Sequence, residues 1–335
     1  MRNIDVVDIP EAPSWRHGHL LDVDVLTWPE IELVLRTADS MREVLARPIA
    51  KVPALRGSTV TILFYEASTR TRVSFELAAK ALSANVVNIA VATSSVAKGE
   101  SLLDTVRTIE ALGSSTLVIR HSVSGAPYLA AEAFGGSVIN AGDGWHAHPT
   151  QALLDLATIR SHLPGGVAGR KVAILGDVLH SRVARSNLWT LTAGGADVWL
   201  CGPSTLLRGF GAWATSVADA GRRFTVTSDV AAALRDADVV MALRIQKERM
   251  EGGLLPSLRE YAARFGLTRE RLALAREGAL VMHPGPMNEG VEIAADVAVG
   301  AGSVIADQVT TGVAVRMALL YLLAGARSGE AVAAG

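Results

Sequence analysis

Short apolar runs alternate with longer stretches of helical spacing along most of the chain. In the first half, each run is followed by polar residues or glycine, a pattern typical of strands that end at a loop. The predicted strands are 58–64, 85–91, 117–120 and 137–140. Between them, apolar residues recur at helical spacing in 73–82 and 102–112. This order of elements predicts repeated βα units around a parallel sheet.

The second half repeats the alternation. Its predicted strands are 171–175, 197–200, 224–227, 239–243 and 280–282. A predicted helix over 151–162 is followed by Pro164-Gly165-Gly166, which is typical of a connector, and a last helix is predicted over 313–323. We therefore expect an α/β fold with two domains, each a parallel β-sheet flanked by helices, divided near Thr150.

The composition narrows the class of protein. A length of 335 residues favours about two domains. Lys and Arg number 32 against 33 Asp and Glu, so the net charge is -1, and 50% of the residues are hydrophobic. These values are typical of a globular protein. They exclude a disordered chain and a nucleic-acid binder that relies on positive charge.

The sequence also predicts a soluble, cytoplasmic chain. Its single cysteine, Cys201, excludes an intrachain disulfide and a multi-cysteine zinc site, as expected in a reducing compartment. The first ten residues contain two Asp and no apolar run, unlike a secretory signal. The apolar stretch 313–326 is interrupted by Arg316 and falls short of the roughly 20 residues that a membrane span needs.

The clearest candidate site is the segment Ser68-Thr69-Arg70-Thr71-Arg72, between a predicted strand and a predicted helix. Free backbone N–H groups, hydroxyls and guanidinium groups converge at such a junction, which favours an anion, most simply a phosphate. A helix cap beside solvated arginines is the alternative. A dinucleotide site is weighed at Gly176-Asp177, but no second or third glycine follows, and the chain has no P-loop sequence.

Further polar residues follow other predicted strands, where ligands of open parallel sheets bind. Three arginines from separate strands indicate a substrate with several negative charges. At the predicted domain junction, His148-Pro149-Thr150-Gln151 begins a helix, so His148 and Gln151 are candidates for an interdomain cleft; a capping or core histidine is the alternative. No metal site is predicted, because 146–148 supplies only two ligands. The strand-end residues are Arg120, Arg182, Arg244 and Gln246.

Taken together and in order, these segments resemble the catalytic chains of the aspartate carbamoyltransferase family from about residue 53 to 323. The motifs that carry the resemblance are S-T-R-T-R at 68–72, S-x-x-x-K-G-E at 94–100, H-P-T-Q at 148–151, R-x-Q-K-E-R at 244–249 and H-P-G-P at 283–286. The resemblance implies transfer of a carbamoyl group from carbamoyl phosphate to L-aspartate in pyrimidine synthesis, without a metal or organic cofactor.

The resemblance also implies a role for each matching residue. The phosphate would be held by Ser68, Thr69, Arg70 and Thr71. The carbonyl oxygen would face Thr71, Arg120 and His148, and the carbamoyl nitrogen would face Gln151 and the loop at Gly285 and Pro286. The aspartate carboxylates would be bound by Arg182, Arg244, Gln246 and Lys98. Glu66 and Arg249 would steady Arg182.

Domain roles and assembly follow from the same resemblance. Residues 1–150 would bind carbamoyl phosphate, residues 151–306 would bind aspartate, and the helix at about 307–326 would pack back on the first domain. Lys98 and Ser94 would reach a neighbouring subunit's site, which implies a homotrimer with shared active sites. A regulatory or dihydroorotase-like chain is a possible partner, whereas no nucleic acid and no membrane is expected.

Two positions depart from the family pattern, and two alternatives remain. Val183 stands where some relatives have Thr, and Glu289 stands where related sequences usually carry Arg, close to the closing loop. The alternatives are an ornithine or related amine carbamoyltransferase and a non-catalytic relative. The first is disfavoured because ornithine enzymes resemble one another in an H-C-L-P segment, whereas this chain has H-P-G-P at 283–286.

Overall fold

The computed structural model describes residues 14–90, 99–209, 224–246 and 253–333. A four-stranded parallel sheet occupies the first half, with the strand order β2-β1-β3-β4. Its strands are β1 (Thr59–Phe64), β2 (Asn85–Ala90), β3 (Thr116–His121) and β4 (Ser137–Asp143). The helices of this half are α1 (Trp28–Leu45), α2 (Thr69–Ala81), α3 (Leu102–Ala111), α4 (Ala126–Ala133) and α5 (Pro149–His162).

A five-stranded parallel sheet occupies the second half, with the order β7-β6-β5-β8-β9. Its strands are β5 (Lys171–Leu175), β6 (Asp197–Cys201), β7 (Phe224–Thr227), β8 (Val239–Ala242) and β9 (Leu280–Met282). The helices from here on are α6 (Arg182–Ala193), α7 (Val230–Leu234), α8 (Leu258–Phe265), α9 (Arg269–Leu272), α10 (Ala295–Ala298) and α11 (Ile305–Ala333).

Burial on both faces explains why the strands are apolar runs and do not alternate. Every residue of β1 after Thr59 is buried, and so is every residue of β8 and β9. Parallel sheets covered by helices on both faces have this pattern. The fold class predicted from the sequence, two parallel-sheet α/β units, is therefore confirmed. The division near residue 150 stays a prediction.

The order of strands in each sheet determines where the loops with the predicted site residues lie. In the first sheet the chain leaves β1 for the outer strand β2 and then returns to β3, so the loops after β1 and β3 diverge. In the second sheet the same reversal lies between β5 and β8. Ligands of open α/β sheets bind in the crevice that such a reversal creates at the carboxyl ends of the strands. The S-T-R-T-R segment follows β1, and Arg120 lies near the end of β3. In the second half, Arg182 follows β5 and Arg244 follows β8.

The C-terminal helix α11 is longer than the predicted 313–323. It packs against α1, α2 and α5 of the first half, and Leu319 and Leu323 are fully buried in the same core as Leu35 of α1. By length and composition, Ile305–Ala326 could also cross a membrane. More than half of its most apolar window is buried inside the protein, so the core accounts for its apolar character.

Candidate active site

A cavity of about 650 Å³ opens where the crevices of the two sheets meet. Its wall combines residues from the ends of β1, β3, β5 and β8, the first turn of α5, the loop after β9 and one side of α11. The structure brings twelve of the thirteen sequence-predicted site residues to this cavity: Ser68, Thr69, Arg70, Thr71, Arg120, His148, Gln151, Arg182, Arg244, Gln246, Gly285 and Pro286. The thirteenth, Lys98, lies outside the described residues, as do Ser94 and Arg249.

The phosphate-type motif is the first turn of α2. The helix begins at Thr69 after Ser68, which has an extended backbone, so the first backbone N–H groups of α2 have no partner within the helix. Thr71 is buried, whereas Arg70 is exposed to the cavity. A helix N-terminus with hydroxyls and a guanidinium group on one side is suited to an anion. The helix begins four residues earlier than the apolar spacing predicts, because Thr69-Arg70-Thr71-Arg72 form its first turn after the Ser68 cap.

The loop after β9 closes the cavity against this motif. Gly285 has a φ of +65°, and a Cβ atom added there would overlap Nη1 of Arg70. The loop backbone therefore approaches the guanidinium group so closely that no side chain fits between them. The Gly285 N–H donates to Nδ1 of His283 at 2.8 Å, which holds the loop to the end of the strand.

We expect Gly285→Ala to raise the KM for the anionic substrate of this site by about tenfold, because the new methyl group displaces the Arg70 guanidinium and one charge-assisted contact is worth about 1.5 to 3 kcal/mol. Steady-state kinetics measure the change. Gly278→Ala is the matched control, since Gly278 has a φ of +77° but no atom within 4 Å of an added Cβ. An equal rise in KM for both variants would mean that backbone strain, and not Arg70, causes the effect, and an unchanged KM for Gly285→Ala would contradict the close approach to Arg70.

Glu66 joins the arginines of the two sheets. Its Oε2 atom lies 2.8 Å from Nη2 of Arg182 and 3.2 Å from Nε of Arg120. Arg182 is buried and also donates to the Gly144 carbonyl at 3.1 Å, while Arg120 contacts the Ala141 carbonyl at 3.3 Å. One carboxylate thus holds two guanidinium groups side by side at the cavity wall. The predicted support of Arg182 by Glu66 is present in the structure.

His148 lies beside these arginines and is buried. Burial, and then the positive charges of Arg120, Arg182 and Arg316, lower the pKa of His148 well below its usual value. The imidazole is therefore neutral near pH 7, and one of its nitrogens carries a proton that it can donate. Its backbone N–H donates to Oγ of Ser186 at 2.9 Å, which ties the start of α5 to α6.

The neutral state of His148 has a consequence for stability. The unfolded chain binds a proton at this residue below about pH 6.5, whereas the folded chain does not, so stability falls as the pH falls below that value. We expect His148→Asn to lose less free energy of unfolding than the original chain between pH 7 and pH 5.5, with a difference that approaches about 1.4 kcal/mol per pH unit. Urea denaturation at several pH values measures it; parallel stability curves would contradict the assignment.

Sequence reasoning missed four residues around the cavity. Ser74, Gln308 and Arg316 line it, and Asp155 lies directly behind Gln151. In the sequence, Arg316 stands out only as an interruption of an apolar stretch. This interruption could have identified Arg316 as a residue with a polar partner in the core, because a charged residue within a core helix requires a buried partner. Here Nη1 of Arg316 donates to Oγ of Ser74 at 2.9 Å.

Two family models match this chain, one in each half. Residues 18–161 match the model of the aspartate/ornithine carbamoyltransferase carbamoyl-P binding domain. Residues 168–323 match the model of the Asp/Orn binding domain of the same family. The chain belongs to the aspartate/ornithine carbamoyltransferase family. Nearly every described residue lies within the two matched regions.

Relatives with high sequence identity to this chain are aspartate carbamoyltransferase catalytic subunits. The aspartate carbamoyltransferase catalytic subunit of Roseiflexus sp. (strain RS-1) is 62% identical over 310 residues, covering 92% of this chain and 96% of the relative. That of Chloroflexus aggregans is 60% identical over 310 residues, covering 92% and 99%. The family assignment made from the sequence motifs is confirmed.

A solved structure of this carbamoyltransferase family matches the fold. Aspartate transcarbamoylase from Trypanosoma cruzi, in complex with carbamoyl phosphate and aspartate, superimposes with a TM-score of 0.82 at 31% identity, covering 93% of this chain and 99% of that chain. The match covers nearly the whole chain and therefore extends over both sheets.

Proposed function

We propose that this chain is an aspartate carbamoyltransferase that transfers the carbamoyl group of carbamoyl phosphate to the amine of L-aspartate, giving N-carbamoyl-L-aspartate and phosphate. The observation that carries the proposal is the cavity whose lining combines guanidinium groups from both sheets with His148 and Gln151. The names of relatives at 60–62% identity and the substrates of the Trypanosoma cruzi complex support it.

The first step is binding of carbamoyl phosphate at the start of α2. The N–H groups of the first turn, the hydroxyls of Ser68, Thr69 and Thr71 and the guanidinium group of Arg70 bind the phosphate oxygens. An anion at a helix N-terminus is stabilised by the helix dipole as well as by these donors. The loop at Gly285 covers Arg70 and presents backbone carbonyls near Pro284 and Pro286 to the carbamoyl NH2 group.

The second step is binding of aspartate on the opposite wall. Arg182, Arg244 and Gln246 bind its two carboxylates, for which the planar guanidinium fork is suited. Lys98 completes this side from a neighbouring subunit. Two anionic substrates then occupy a cavity whose positive charge is concentrated although the chain as a whole has a net charge of -1.

The chemical step is a displacement at the carbamoyl carbon. The aspartate amine forms the new C–N bond, the C–O bond to phosphate breaks, and the proton of the amine passes to the leaving phosphate. Negative charge grows on the carbonyl oxygen, where Thr71, Arg120 and neutral His148 donate hydrogen bonds. Positioning of the two substrates and stabilisation of this charge supply the catalysis, and no covalent enzyme intermediate is needed.

The product of the reaction tests the proposal and separates it from the ornithine alternative. The purified chain is supplied with carbamoyl phosphate and either L-aspartate or L-ornithine, and both phosphate release and the carbamoylated amino acid are followed. Carbamoyl aspartate from the first mixture alone is expected. Citrulline would leave the phosphate side of the site standing and overturn the roles of Arg244 and Gln246; no product in either mixture would favour a non-catalytic relative.

We also propose that the active unit is a cytoplasmic homotrimer with shared sites, with residues 1–150 binding carbamoyl phosphate and residues 151–306 binding aspartate. If Lys98 acts across an interface, Lys98→Ala and Arg70→Ala chains, each impaired alone at a low concentration of carbamoyl phosphate, regain part of the activity at that concentration when mixed, because some sites then have both residues intact. Exchange of subunits without any recovery of activity would contradict a shared site. A regulatory or dihydroorotase-like partner chain remains part of the proposal.

A further inference from the structure

A fully buried carboxylate lies directly behind the carbamoyl side of the cavity. Asp155 is on α5, one turn after Gln151. Its Oδ1 atom accepts from Nε2 of Gln151 at 2.8 Å and from Nε2 of Gln308 at 2.7 Å. Its Oδ2 atom accepts from Nδ2 of Asn187 at 2.8 Å. The three donors come from three different helices, α5, α11 and α6.

The carboxylate determines which way the two glutamine amides point. An ionised carboxylate only accepts hydrogen bonds, so each glutamine must turn its NH2 group toward Asp155. The Oε1 atom of Gln151, a cavity-lining residue, is then the end of the amide that remains for a donor such as a carbamoyl NH2 group. With the opposite orientation, Gln151 would point its own NH2 group at the carbamoyl NH2 group. Both groups are donors, so no hydrogen bond could form between them.

The second glutamine, Gln308, connects Asp155 to the loop after β9. Because Nε2 of Gln308 faces Asp155, its Oε1 atom faces the other way and accepts the His283 backbone N–H at 3.0 Å. His283 Nδ1 in turn accepts the Gly285 N–H at 2.8 Å. Asp155 is thus connected by three consecutive hydrogen bonds to the loop that covers Arg70.

A buried cation interacts electrostatically with this carboxylate. Arg316 is buried beside it, donates to Ser74 and stacks its guanidinium group 5.1 Å from the centre of the Phe75 ring. Burial raises the pKa of Asp155 to about 6, while the amide donors and the charge of Arg316 oppose that rise. Asp155 is therefore ionised at the pH of an ordinary assay, as an acceptor-only role requires.

We propose that Asp155 is a positioning residue for carbamoyl transfer: it turns the acceptor oxygen of Gln151 toward the carbamoyl NH2 group and, through Gln308 and His283, fixes the loop at Gly285. This inference rests on the proposed function. It assigns Asp155 no contact with substrate, so its loss acts on the geometry of the reacting group and not on the phosphate contacts.

Three substitutions separate orientation from charge and from packing. Asp155→Ala removes the acceptor. Asp155→Asn keeps one acceptor oxygen for both glutamines. Its NH2 group can donate to the Asn187 amide oxygen after that amide rotates, because this oxygen has no hydrogen-bond partner among the described residues. Thr158→Val is the matched control on the same helix, because the buried Thr158 hydroxyl donates only to the Leu154 carbonyl among the contacts described.

Kinetics of carbamoyl aspartate formation by the full chain give the readout, with inorganic phosphate as a competitive probe of the phosphate contacts. We expect kcat of Asp155→Ala to fall by about thirtyfold or more, since a small misplacement of reacting groups costs about a hundredfold. The inhibition constant for phosphate should stay within about twofold, and kcat of Asp155→Asn and Thr158→Val within about threefold, because neither loses the acceptor.

Each other outcome decides against the inference. A wild-type kcat for Asp155→Ala, or an equal loss in Asp155→Asn, would overturn the orienting role; a matching loss of phosphate affinity would assign Asp155 to general packing. If Asp155→Ala does not fold, Gln308→Met removes the arm to His283 alone, and an unchanged kcat would overturn the connection to the loop. If the original chain forms no carbamoyl aspartate, the proposed function fails, which is a separate result.

Discussion

Arg70→Ala is expected to raise the KM for carbamoyl phosphate by about tenfold to several hundredfold. The lost guanidinium group contributes at least one charge-assisted hydrogen bond, worth about 1.5 to 3 kcal/mol, and a bidentate contact contributes more. The N–H groups at the start of α2 remain, so binding is weakened and not abolished. Steady-state kinetics with carbamoyl phosphate as the varied substrate measure the change.

Arg72→Ala is the matched control for this variant. Arg72 is on the same first turn of α2, two residues further along the helix, and it is exposed and absent from the cavity wall. Removing it takes away the same charge near the same helix end. We expect less than about a fivefold change in KM, because a solvent-exposed charge contributes about 0 to 1 kcal/mol. Equal effects of the two substitutions would replace a specific contact with general electrostatic attraction.

Glu66→Ala is expected to lower kcat/KM for aspartate by about thirtyfold to a hundredfold or more. Two guanidinium groups, those of Arg120 and Arg182, lose their shared carboxylate and repel each other. Breaking a fully buried ion pair costs about 3 to 5 kcal/mol, and the 19% exposure of the Glu66 side chain reduces that to about 2 to 3 kcal/mol. Kinetics with aspartate as the varied substrate measure it.

Two further variants, Glu66→Gln and Glu76→Ala, test whether the effect of Glu66→Ala comes from losing the carboxylate shared by the two arginines. The first keeps a neutral acceptor for one arginine, so its loss should be intermediate. The second removes a surface carboxylate that pairs with Lys80 four residues away on α2, and we expect an unchanged kcat/KM. If Glu66→Ala behaves like Glu76→Ala, the two arginines are held by their backbone contacts at Gly144 and Ala141 and not by the carboxylate.

Local patterns in the sequence were enough to predict the strands and the motifs at their ends. Short apolar runs locate strands that are buried on both faces, and the observed β1, β5 and β9 begin within one residue of the predicted positions. Polar residues directly after such runs fall at the carboxyl edge of a parallel sheet. The family resemblance then supplied what local patterns cannot, namely which motifs face one another.

The missing parts depend on contacts between residues far apart in the chain. Helix α1 was absent from the predicted elements, although the Thr27 N–H donates to Oε2 of Glu30 at 2.8 Å where the helix begins and apolar residues recur along one side. Asp155 looks like an ordinary helical carboxylate until Gln308 of the last helix is brought beside it. The overlap that a side chain at Gly285 would make with Arg70 likewise exists only in the folded chain.

The position of α11 constrains when the active site can form during synthesis. This helix is made after both sheets, yet it packs against α1, α2 and α5 of the first half and supplies Gln308 to the network behind the cavity. A chain that is still emerging from the ribosome therefore has an uncovered apolar surface on its first half until residues 305–323 appear. Nascent-chain folding should end in one late, coupled event, and substrate-binding capacity should appear with that event and not with completion of the first sheet.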